Sequence, residues 1–124
     1  MDRRVHRKDP TVLDDIASLS LQTAISGLST RQQVTANNIA NLETPGFTAS
    51  NVDFESSLAE ALNSGDPTRA AVAVNPSGDQ PGINGNNVSL DSEVVTATKT
   101  GLQEQLLTGA LTSKYGLIST VLKG

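Results

Sequence analysis

The chain has 124 residues, a formal net charge of −4 and no cysteine. That length suffices for one modest domain, the acidic balance argues against a general attraction to nucleic acid, and the missing thiols exclude disulfides and thiolate metal sites. Aromatics make up 2% of the residues (Phe47, Phe54 and Tyr115, with no Trp), so buried area must come from Leu, Val, Ile and Ala, which suits helix-on-helix packing.

Residues 1–8 hold the one basic cluster, RRVHRK at 3–8, and read as a mobile, solvated terminus. No signal-peptide apolar segment with a small-residue cleavage site appears there, so any export is expected to need no cleaved signal. No apolar run approaches the roughly 20 residues of a membrane-spanning helix.

A long helix is predicted over residues 9–43. Asp9 can cap it with Pro10 in the first turn, or Thr11 can cap with Asp14 three residues on. Leu13, Ile16, Ala17, Leu21, Ala24, Ile25 and Leu28 form one apolar stripe at three- and four-residue spacing, continued more weakly by Thr35, Ile39 and Leu42. Ser, Thr and Gln fill the other face. A single stripe on so long a helix requires a partner to cover it.

That helix ends in ANNIANLETPGF, residues 36–47. Asn is a poor interior helix residue because its amide competes with the backbone for hydrogen bonds, yet Asn37, Asn38 and Asn41 crowd the end. Pro45 fixes its own φ and pushes Thr44 toward an extended conformation. Gly46 supplies the positive φ that the third position of a type II turn needs. The chain should therefore leave the helix sharply and throw Phe47 to one side as an anchor. The three asparagine amides are expected to bond to main chain across a helix–helix or helix–loop seam.

Residues 44–87 form the middle segment. VDFESSLAEAL (52–62) reads as a short helix capped by Asp53, with Phe54, Leu58, Ala61 and Leu62 on one face. Val72 and Val74 alternate with alanine as in a short strand. The Gly-, Pro- and Asn-rich remainder reads as turns or disorder with a solvated backbone that tolerates change.

A second long helix is predicted over residues 88–124. Ser89 is its N-cap, and Asp91 and Glu93 suit the positive end of the helix dipole. Val94, Val95, Leu102, Leu106, Leu107, Ala110, Leu111, Leu117, Ile118, Val121 and Leu122 make a wide stripe. Gly101, Gly109 and Gly116 interrupt it at about 1 kcal/mol each against Ala, and let another backbone come close.

Residues suited to catalysis are lacking. The single histidine, His6, lies in the basic terminus, without a second His or a Cys for zinc and far from a Ser–His–Asp arrangement. The carboxylate pairs Asp14/Asp15, Asp53/Glu55 and Asp91/Glu93 fall in or near first helical turns, where capping and dipole compensation account for them. DQPGINGNN lacks the bidentate Glu of a calcium loop and has Pro81 at a ligand position. Asn87-Val88-Ser89 matches a glycosylation sequon that chance explains. The expectation is a non-enzyme with no cofactor and no metal.

NNIANLETPGF resembles the motif shared by the axial proteins of the bacterial flagellum, those of rod and hook. The adjoining ASNVDFESSL, PGINGNNVSLDSE and KTGLQEQLLTGALTSKYGLISTVLKG are similar to the proximal-rod members. The resemblance spans about residues 12–124 and is weak through 63–80. Phe47 stands where the family usually has Tyr, and Thr48 and Ser50 replace commonly basic residues. The resemblance implies a structural subunit of the proximal rod in the cell envelope, exported through the flagellar type III apparatus and transmitting motor torque. It further implies self-association and contacts with other rod proteins, the rod-to-ring adaptor and the membrane-ring and export apparatus, with no nucleic-acid partner.

The expected fold is mainly α: two long terminal helices pairing as a coiled-coil-like hairpin around an irregular middle with a short helix and a short β element. The expected assembly motif is Asn37, Asn38, Asn41, Thr44, Pro45, Gly46 and Phe47. Packing is expected from Leu13, Ile16, Leu21, Ile25, Leu28 and Ile39 on the first helix and Leu102, Leu106, Leu111, Ile118 and Val121 on the second. The rival reading is a soluble helical adaptor or export chaperone that binds one partner through exposed apolar stripes.

Overall fold

The computed structural model describes the backbone of residues 10–123 and, within it, the side chains of 15–114, 116 and 120. The basic terminus with His6 and Asp9, and the side chains of Thr11, Leu13, Asp14, Tyr115, Leu117, Ile118, Val121 and Leu122, lie outside the described residues.

Helix α1 runs over Pro10–Ala40, with Pro10 at its start, where a missing N–H costs nothing. It tightens beyond Ala40, as the Asn41 N–H donates to both Asn37 O (3.2 Å) and Asn38 O (3.1 Å) and the Leu42 N–H donates to Ile39 O. Strand β1 (Ser50–Asp53) pairs antiparallel with β2 (Ala73–Pro76), with Val52 opposite Val74. Between them lie α2 (Glu55–Asn63) and one 3₁₀ turn, Pro67–Arg69, capped by Asp66, which accepts from the Thr68 N–H. Helix α3 spans Leu90–Lys123, and Ser89 caps it by accepting the Ser92 N–H at 3.4 Å.

The protein is thus mainly helical, with long terminal helices, one short middle helix and a two-stranded sheet. Two local expectations are corrected. Asp53 does not cap α2: it closes strand β1 opposite Ala73, and Phe54 stands at the cap position with no side-chain bond. Val72 lies outside β2, whose residues are all exposed. Pairing with β1, over twenty residues upstream, decided where that strand begins.

The small core comprises Leu28, Val52 and Phe54, with Ala24, Val34, Leu58 and Leu107 against it. Phe54 is the buried aromatic, while Phe47 is half-buried. A Cβ on Gly27 would stand 2.5 Å from the Phe54 ring, so the ring lies against α1 backbone that only glycine can present.

Helices α1 and α3 pack against each other. On α1 the covered positions recur as Leu21, Ala24, Leu28, Arg31, Thr35 and Asn38. On α3 they recur as Glu93, Ala97, Thr100, Glu104, Leu107 and Leu111. Both series alternate three- and four-residue steps, the spacing of a coiled-coil seam. The seam changes chemistry along its length. Beside the TPGF turn it is Thr35, Asn38, Glu93 and Thr100 around Ala97; further away Leu21, Ala24, Leu28, Leu107 and Leu111 predominate, beyond Arg31 and Glu104.

Candidate assembly site

The Thr44–Phe47 turn closes as its residue types require. The Phe47 N–H donates to Thr44 O at 3.2 Å, and Gly46 takes φ +73°, the left-handed value of the third position of a type II turn. Pro45 and Gly46 are exposed.

The three asparagines divide by role. Asn38 is 1% exposed; its Nδ2 donates to Ser50 O (2.8 Å) and to Glu93 Oε1 (3.1 Å), while its Oδ1 accepts from the Ser50 N–H (3.0 Å). One side chain thus joins α1 to the head of β1 and the first turn of α3. Asn37 and Asn41 stay local. Asn41 Nδ2 donates to Asn37 O, and its Oδ1 accepts from the Thr44 hydroxyl. Glu93 therefore does more than offset the helix dipole, since its carboxylate is buried and holds Asn38.

The middle segment supplies partners that were not expected. Asn86, also buried, donates through Nδ2 to Asn41 O and Thr44 O, both at 2.8 Å. Its Oδ1 accepts from the Val88 N–H at 2.7 Å. Asn87 Oδ1 accepts from the Ala49 N–H (2.7 Å), its Nδ2 donates to Asp79 O (3.1 Å), and its own N–H donates to Phe47 O (3.2 Å). The Gly46 N–H donates to Asn84 O at 2.9 Å, and a Cβ on Gly85 would stand 3.3 Å from Gly46 Cα. Residues 82–87 are thus a clasp over the TPGF turn, which corrects their reading as a solvated, tolerant loop. Their only signal in sequence is three asparagines in NGNN just before the Ser89 cap. Among the described residues no buried side-chain nitrogen or oxygen lacks a partner.

Further back along α1, Arg31 makes a fork. It donates to Glu55 Oε1 (2.6 Å) and Oε2 (3.0 Å) and to Val52 O (2.7 Å). Its guanidinium also sits 5.0 Å over the centroid of the Phe54 ring. The hydrogen bonds from Arg31 hold the Glu55 carboxyl below its ordinary value of 4.5, against a smaller opposing effect of burial.

The expected packing residues fall on two sides. Leu21, Ile25, Leu28, Ile39 and Leu111 are buried or half-buried, as is Ile16. Leu102 and Leu106 lie outside the α1 seam, 58% and 72% exposed. With Val95 they form an exposed apolar line on α3, outside its seam with α1. Leu106 also edges an open groove of about 260 Å³ that includes Ala24, Leu28, Phe54, Leu58 and Leu107. The described residues contain no cluster of three His, Cys, Asp or Glu able to hold a metal, and none of their helices is long and apolar enough to cross a membrane.

The family model described as "Flagella basal body rod protein" matches residues 21–48, the stretch from mid-α1 through TPGF. The chain is 32% identical to the flagellar basal body rod protein FlgB of Bacillus subtilis over 85% of this chain and 92% of that protein. It is 29% identical to the FlgB of Escherichia coli over 88% of this chain and 94% of that protein. It is also 36% identical to the flagellar hook protein FlgE of Borreliella burgdorferi, over 59% of this chain but 17% of that longer protein. With a relative this similar over nearly its whole length, the chain belongs to the FlgB family of flagellar basal body rod proteins.

Proposed function

We propose that this chain is a structural subunit of the flagellar basal body rod and that it assembles by packing the outer side of α3 against neighbouring subunits. The observation that carries this reading is the apolar line Val95, Leu102 and Leu106, which the α1–α3 seam leaves in water. Exposed apolar residues grouped on one helix face are a standard feature of association surfaces. Gly109 and Gly116 have open space where a Cβ would stand, room for a neighbour's backbone to approach. The clasped TPGF turn is the rigid end of the hairpin, against which helices of adjacent subunits register. In this reading the rod carries motor torque through helix–helix contacts and reaches the other rod and hook proteins, the rod-to-ring adaptor and the membrane-ring and export apparatus. Export follows the flagellar type III route that the resemblance implies, and no catalytic step is required.

The test is Leu102→Asp combined with Leu106→Asp. Both positions are exposed, so the isolated protein should keep its melting temperature. Swimming should be lost while the secreted protein still accumulates, because a charge buried at a subunit seam costs several kcal/mol. Normal swimming by this variant refutes the packing assignment.

A further inference from the structure

Asn84 is followed by Gly85, the only Asn-Gly pair in the chain, and both residues are exposed on the clasp. Glycine after asparagine leaves the following main-chain nitrogen without a side chain to hinder its approach to the asparagine side-chain carbonyl. Asn84 Oδ1 accepts a hydrogen bond from the Asn86 N–H at 3.2 Å. A donor on that oxygen polarises the carbonyl and stabilises the charge that develops on it when a nucleophile adds. The Gly85 N–H donates to Gly82 O at 2.9 Å, a bond that must open before the nitrogen can attack. An exposed turn opens at little cost compared with a core element.

We infer that Asn84 is a spontaneous deamidation site whose isoaspartyl product unfastens the clasp from the TPGF turn. The Gly85 nitrogen, losing its proton to water or base, bonds to the Asn84 side-chain carbon. The C–N bond to the side-chain amide breaks, ammonia leaves with that proton, and a succinimide remains. Water then opens the ring at either carbonyl. One opening gives aspartate and the other gives isoaspartate, in which the main chain passes through the former side-chain carbon. No oxidant or cofactor enters.

The two products differ in what they do to the structure. Aspartate keeps the main-chain path, the bond from Gly46 N–H to Asn84 O and an acceptor for the Asn86 N–H. Isoaspartate adds a methylene to the main chain between Asn84 and Gly85. It also turns the carbonyl that Gly46 uses into a carboxylate on a side branch. The close approach of Gly85 to Gly46 cannot survive that lengthening.

The test ages the purified full chain at mildly alkaline pH and maps peptides by mass spectrometry, with isoaspartyl methyltransferase labelling. A urea-unfolded sample and an Asn84→Gln variant run in parallel. The amide should be lost at Asn84 ahead of every other asparagine, and Asn84→Gln should gain no label in this peptide. If Asn84 keeps its amide in the folded chain for a time in which the unfolded chain loses it, the folded clasp protects the site and the inference fails. The unlabelled acidic fraction holds aspartate and isoaspartate together; the share of its molecules that methyltransferase titration counts as isoaspartyl should also exchange the Gly46 and Asn87 amide hydrogens at least tenfold faster, with Arg31 and Val52 unchanged. Unaltered exchange at Gly46 overturns the link between the modification and the turn.

Discussion

The two ends of the α1–α3 hairpin solve the same packing problem in opposite ways. Near the TPGF turn the helices meet through Thr35, Asn38, Glu93 and Thr100, every one of them buried, and Asn86 and Asn87 tie the connecting segments over them. Further along, contact is apolar and incomplete: Leu28 and Leu107 meet, but the groove beside them stays open and Leu106 faces water. A buried hydrogen-bonded junction is directional and complete within one chain, because each donor has its acceptor. Apolar surface carries no such specification and can be satisfied equally well by another molecule. The hairpin is specified at one end and left available at the other.

The sharpest way to break this contrast is Asn38→Leu. It strands the buried Glu93 carboxylate and the Ser50 N–H together, at a cost of about 3 kcal/mol, read as a lower midpoint in urea. A variant as stable as the parent would mean that the polar junction adds shape and no stability. Gly27→Ala probes the border between the ends. The new methyl would stand 2.5 Å from the Phe54 ring, and displacing that ring should cost about 2 kcal/mol, more than the roughly 1 kcal/mol that alanine returns in helix propensity. Thermal unfolding should therefore shift downward, and an upward shift would show that the ring moves freely.

The clasp can be tested residue against residue. Asn86→Ala leaves the Val88 N–H without its acceptor and takes from Asn41 O and Thr44 O the second of their two donors, and should cost about 2 kcal/mol. Gly82→Ala meets only ordinary contacts at 3.6 Å and beyond and should stay within about 0.5 kcal/mol. Gly46→Val should resemble Asn86→Ala, since a β-branched residue at positive φ is strained even in open space. Equal effects for Asn86→Ala and Gly82→Ala would return the segment to the status of a loop.

The smallest effect belongs to Arg31 and Glu55. Because the folded protein holds the Glu55 carboxyl below 4.5, this pair stabilises the fold fully above that pH and loses its contribution as pH falls through the lowered folded value. Glu55 is well exposed, so the amount is under about 1 kcal/mol. Urea midpoints for the parent and Glu55→Gln should differ slightly at neutral pH and converge in acid. A difference that grows as pH falls would reverse the assigned sign.

Local sterics and periodicity alone determined the two long helices, the Ser89 cap and the TPGF turn with its left-handed Gly46. Each depends on residues within a few positions of one another, so the physics that sets them is present in any short window. The tertiary structure alone decided which face of α3 meets α1. Counting apolar residues favours the line through Leu102 and Leu106, but the seam instead follows Glu93, Ala97, Thr100, Glu104 and Leu107, because Asn38 and Gln32 reach Glu93 and Ala97 O across it. The same holds for the choice of Asn38 over Asn37 and Asn41, of Phe54 over Phe47 as the core aromatic, and for the clasp. Asn86 meets partners more than forty residues away, and a side chain that can donate to any carbonyl does not reveal in sequence which one the fold will bring to it.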